Sequence, residues 1–152
     1  MNTQDVDILQ RPLRVRVRMD FKGISKPGRF LFGGKPGDKA AEDLREQQIA
    51  VFRNVPIQGI HVEEIDMSAE VYTVQDEITG SETAYAPVIL QLRAETLEDV
   101  VRFIARDDFR KIEILEPANL ALTKYDVERL LFRVTEEMRT YRSLMERRYN
   151  SR

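Results

Sequence analysis

His61 is the only histidine in the chain, and it opens the only cluster that joins an imidazole to carboxylates: His61, Glu63, Glu64 and Asp66. On a strand, residues two apart share a face, so His61 and Glu63 could offer two ligands to a borderline metal or form an acid–base pair. No neighbour in the sequence marks a third ligand. The expected role is an exposed acidic strand end, with a metal or acid–base enzyme around His61 as the third-ranked reading. No metal or cofactor is expected.

The other chemistries are poorer in residues. The chain has no Cys, which removes disulfides, thiolate nucleophiles and sulfur-ligated zinc. Ser25, Ser68, Ser81, Ser143 and Ser151 lack the neighbours of a nucleophile elbow or an S-x-x-K motif. The adjacent carboxylates Glu98-Asp99 and Asp107-Asp108 point about 100° apart if helical, so adjacency does not aim them at one substrate. A P-loop ending at Gly34-Lys35 would need Gly where Arg29 stands and Ser or Thr where Pro36 stands. Catalysis is therefore not the leading expectation.

Cations offer more. Arg14, Arg16 and Arg18 alternate along one strand face, and Lys26, Arg29 and Lys35 punctuate the Gly- and Pro-rich stretch from Gly23 to Gly37. Together they are the candidate partner- or anion-binding set, able to contact phosphates without reading bases. Residues 1–40 hold nine Lys/Arg against four Asp/Glu, residues 41–100 three against thirteen, and residues 101–152 twelve against nine. Such segregation fits a basic arm for nucleic acid, or basic and acidic stretches that face each other within the fold or between copies. A pI near 5.6 favours mutual facing, because nucleic-acid-binding domains carry a basic footprint. Nucleic acid is thus a partner of second rank.

The elements that must position these groups follow from periodicity. Leu13, Val15, Val17, Met19 and Phe21 alternate with Arg14, Arg16, Arg18, Asp20 and Lys22, the period of a half-buried strand. Residues 23–37 read as a long loop, with a short edge strand at Phe30–Phe32. Asp38–Gln48 reads as a helix with a thin stripe of Ala41, Leu44 and Gln48, and Val51–Gly59 reads as irregular around Pro56 and Gly59. Ile60–Gln75 is strand-like, interrupted by the acidic cluster. A hairpin turn at residues 76–82 returns the chain through Thr83–Ala94, whose centre is apolar on both faces as in an interior strand. Thr96 opens a short helix with a near capping box, Arg110–Leu115 is a strand, and Thr123 caps a terminal helix over 123–149.

That last helix carries Val127, Leu131, Val134, Met138, Tyr141 and Met145 at spacings of 4, 3, 4, 3 and 4. This is a self-association seam, or the stripe by which the helix covers the open face of the sheet. Leu130, Phe132 and Leu144 lie beside it and widen the apolar face, which favours docking on the sheet.

The expected fold is α+β: a mixed or antiparallel sheet of four to five strands with helices on one side. A ferredoxin-like βαββαβ order plus a long C-terminal helix is the specific pattern. Residues 1–12 are expected to be a tail and 13–152 a single domain. No apolar run reaches the roughly 20 residues of a spanning helix, and no secretory signal is recognised, so the expected compartment is the cytoplasm. The expected function is a small non-catalytic, regulatory or protein-interaction domain. It would act by homo-oligomerisation and by binding an unidentified protein partner.

Overall fold

In the computed structural model, residues 13–23 and 36–151 are described. Strand β1 (Leu13–Lys22) lies between β4 (Glu82–Ala94) and β5 (Phe109–Glu116), antiparallel to both. Its odd-numbered residues are buried, as the alternation predicts. Strands β2 (Ile60–Asp66) and β3 (Tyr72–Gln75) both pair with the far edge of β4. The five-stranded antiparallel sheet runs β2-β4-β1-β5, with β3 beside the N-terminal half of β4. The class is α+β, and the order carries one strand more than βαββαβ.

The position of that extra strand break has a local cause. β2 leaves β4 at Asp66–Ile89 and β3 joins it at Tyr72–Tyr85, so the gap falls opposite Pro87. Proline has no N–H to give a neighbouring strand, so pairing fails there. Arg45 closes the gap from the helical side, donating to the carbonyls of Ala69 (2.9 Å) and Pro87 (3.1 Å). The acidic residues expected to interrupt the strand lie inside β2, with a bulge between Val62 and Glu64. The break comes after them.

Helix α1 (Pro36–Asn54) is longer than the expected Asp38–Gln48 and includes Val51–Asn54, expected to be irregular. Ile49 and Phe52 lie eight and eleven residues after Ala41, on one helical face, and all three are buried. Packing of that face outweighs the strand-like character of Val51 and Phe52, and the helix stops only short of Pro56. Helix α2 (Leu97–Ile104) starts at Thr96, whose hydroxyl accepts from Asp99 N at 3.1 Å. Val100 and Phe103 of α2 join Ile49 and Phe52 of α1 over the odd face of β1 and the even face of β4. Both helices therefore cover the same side of the sheet, and the core lies between.

Gly59 joins α1 to β2 with φ of +71°. A Cβ built there would stand 2.2 Å from the Asp99 carboxyl, so only glycine fits. The turn from Asp76 to Ser81 is as expected, with Gly80 at φ +70° and Asp76 accepting from Ile78 N and Thr79 N.

Helix α3 (Lys124–Asn150) begins with a full capping box between Thr123 and Asp126. At 1.5 Å per residue it is about 40 Å long. It meets the rest of the domain mainly through α2, tied there by Arg129 and Glu98 at 3.3 Å. The stripe does not dock on the open face of the sheet. With α1 and α2 filling one face, α3 adds an outer layer to that side. Among the described residues no helix is long and apolar enough to cross a membrane.

Candidate interaction surfaces

The uncovered face of the sheet carries Arg14, Arg16 and Arg18, and register decides what each meets. Glu113 and Glu116 of β5 and Glu63 of β2 lie within reach of β1, and Asp20 lies on β1 itself, so each of the three finds a carboxylate. Arg14 donates from Nε to Glu63 Oε1 at 3.0 Å across two strands and lies 3.6 Å from Glu116. Arg16 reaches Glu113 at 3.3 Å, and Glu113 also pairs with Lys111 at 3.0 Å. Arg18 binds Asp20 through Nε (2.9 Å) and a terminal nitrogen (3.3 Å). The hydrogen bond to Glu63 holds the Arg14 pKa above its usual value, and Lys111, with Arg16 second, holds the Glu113 carboxyl below the usual range. Lys26, Arg29 and Lys35 lie outside the described residues.

Asp20 is the residue that periodicity alone misplaces. It has the parity of the arginines, yet it is 2% exposed. Tyr72 of β3 donates its hydroxyl to Asp20 Oδ2, and Arg110 stands 3.7 Å from the same oxygen. Tyr72 stacks on Tyr85 with centroids 5.4 Å apart, and Arg110 lies 5.5 Å from the centre of the Tyr85 ring. Burial, followed by the bond to Asp20, raises the Tyr72 pKa. Both carboxylate oxygens are occupied, so the cluster fastens the short β3 to the sheet and leaves no free group to act on a substrate. A lone Asp within an arginine register was the available signal.

His61 opposes Arg93 on the outer face of the β2–β4 pair and borders a cleft of about 420 Å³ between the end of α1 and β2. Glu63 is committed to Arg14. Among the described residues, no three His, Asp or Glu side chains converge as a metal site requires. Glu98 ties α2 to α3, Asp99 receives Thr96 and Arg102, and Asp108 is held at both oxygens by Arg106. These acids organise helix ends and turns.

α3 is different in kind. None of its residues is buried. Val127, Leu131, Val134, Met138, Tyr141 and Met145 are between 38% and 67% exposed, and Leu144 and Phe132 are exposed as well. The side facing α2, including Leu130 and Arg133, is the less exposed one. Between the C-terminal end of α2 and the distal half of α3 runs a groove of about 710 Å³. Val101, Ile104 and Ala105 line one wall, and Met138, Tyr141 and Met145 the other. Isolated apolar residues on a surface need no account, but a contiguous apolar stripe along about 30 Å of helix does.

Comparison with known protein families, with characterised proteins and with solved structures gives no match. The functional reading therefore rests on geometry.

Proposed function

We propose that the chain is a small non-catalytic interaction domain that associates with itself through α3 and presents the assembled body to protein partners. One observation carries this reading: a 27-residue helix displays a 4-3-4-3-4 apolar seam, and none of its residues is buried. A helix polar all round could be stable in water alone. One with a continuous apolar face reaches its most stable state against another apolar surface. The reading places the protein in the cytoplasm.

Binding of nucleic acid or another anion through Arg14, Arg16 and Arg18 is the weaker reading, because each guanidinium already has a carboxylate and a phosphate would have to displace it. Self-association is tested by light-scattering mass against concentration. A mass of twice 17.7 kDa that falls to the single-chain value in Leu131→Glu supports it. A single-chain mass for the unmodified protein at all concentrations removes it.

A further inference from the structure

The seam residues of α3 are graded in size. Val127, Leu131 and Val134 fill its N-terminal half, and Met138, Tyr141 and Met145 its C-terminal half. Two copies lying side by side can run parallel or antiparallel, and the grading separates these arrangements. In a parallel pair each residue meets itself, so the Val127 and Val134 layers are underfilled while the Tyr141 and Met145 layers are crowded. In an antiparallel pair Val127 meets the partner's Met145, Leu131 the partner's Tyr141, and Val134 the partner's Met138. Every layer then combines a smaller with a larger side chain, as dense packing requires.

The flanks agree. Glu128 and Arg142 lie along the same border of the seam, and antiparallel pairing sets Glu128 against the partner's Arg142 twice over. Arg142 is exposed and pairs along its own helix with Glu146 at 3.4 Å. On the other border Leu144 is exposed, whereas Leu130 is turned toward α2 of its own chain. One contact is unfavourable, Glu137 against its own copy at the twofold axis. Parallel pairing would give Glu137 the partner's Arg142, but it would leave the layers uneven.

We infer that two copies of this chain pair through antiparallel α3 helices, with Val134 opposite the partner's Met138. This inference rests on the self-association reading above and adds its orientation and register. The groove wall formed by Val101, Ile104 and Ala105 lies on the flank that the second copy would cover.

The chain has no Cys, so an introduced cysteine is the only thiol. Val134→Cys and Met138→Cys proteins, mixed equally in a glutathione redox buffer, should give the mixed disulfide as the dominant cross-link. Glu128→Arg or Arg142→Glu alone should weaken dimerisation about tenfold, and the two together should restore it to within about threefold. Both seam positions are already partly exposed, and circular dichroism confirms that the variants stay folded. Disulfides of each variant with itself, together with rescue of Arg142→Glu by Glu137→Arg, would overturn the antiparallel assignment while leaving self-association intact. A single-chain mass for the unmodified protein, with no cross-link in any mixture, would overturn both.

Discussion

The hydroxyl of Tyr72 donates to the carboxylate of Asp20, a group buried on a sheet face that is otherwise open to water. That bond links β3, which has no buried residue, to the central strand β1. Asp20 also holds Arg18 in a two-point contact, and its own N–H donates to Asp108 O at 2.9 Å. One carboxylate thus gathers side chains from β1, β3 and β5.

Asp20→Asn should therefore destabilise more than Tyr72→Phe. The tyrosine change removes one hydrogen bond and costs about 1 kcal/mol. The aspartate change also leaves Arg18 without its counter-charge; because Arg18 is half-exposed, the cost is about 2 kcal/mol, below that of a fully buried pair. Urea denaturation of both variants and their double mutant checks this, and a double mutant equal to the sum of the singles would deny the coupling.

The same pair sets a pH signature at the alkaline end. The Tyr72 pKa is raised in the fold, chiefly by burial. Its contribution is complete below the ordinary phenol value and is lost as pH rises through the higher folded value. Phenolate absorbance in the native protein should show a step above the ordinary phenol range, and this late step should be missing in Tyr72→Phe.

The two left-handed glycines should respond unequally to alanine. Gly59→Ala places a methyl against the Asp99 carboxyl, whereas Gly80→Ala meets nothing within 4 Å. Gly80→Ala should cost about 1 kcal/mol from backbone strain alone. Gly59→Ala should cost about 3 kcal/mol, since the carboxylate that anchors Thr96 and Arg102 must move. Equal denaturation midpoints for the two would contradict the close approach.

Acid should loosen the start of α3. The Asp126 carboxyl lies below the usual range, first because it accepts from Thr123 N and then through the Thr123 side chain. A depressed folded value means that its stabilisation is full above the ordinary aspartate pKa and disappears as pH falls through the lower folded one. Thr123→Ala should cost about 1 kcal/mol near neutral pH. Asp126→Asn should flatten the acid limb of the helical signal measured by circular dichroism.

Much of the frame was legible in the residues. Alternation from Leu13 to Lys22 gave β1 and its buried face, and the Thr96 and Thr123 caps marked both helix starts within a residue. The failures came where tertiary contacts decide. Val51 and Phe52 look irregular until Phe52 is seen beside Phe103, with ring centroids 5.9 Å apart. Asp20 looks outward-facing until β3 brings Tyr72 over it. Charge segregation was visible as a count, but only register shows that Arg14 and Glu63, 49 residues apart, are ion-pair partners. The spacing of the α3 stripe was plain, yet spacing alone leaves open whether a sheet or a second chain covers it.

The central claim is that the α3 seam is an interface between copies, and sedimentation equilibrium tests it most directly. The unmodified chain should fit a monomer–dimer equilibrium with twice the 17.7 kDa mass at micromolar concentration, and a Leu131→Glu, Met138→Glu variant should remain a folded single chain. An unmodified protein that sediments as a single chain across the whole range, or a variant that dimerises as well as the original, would contradict it.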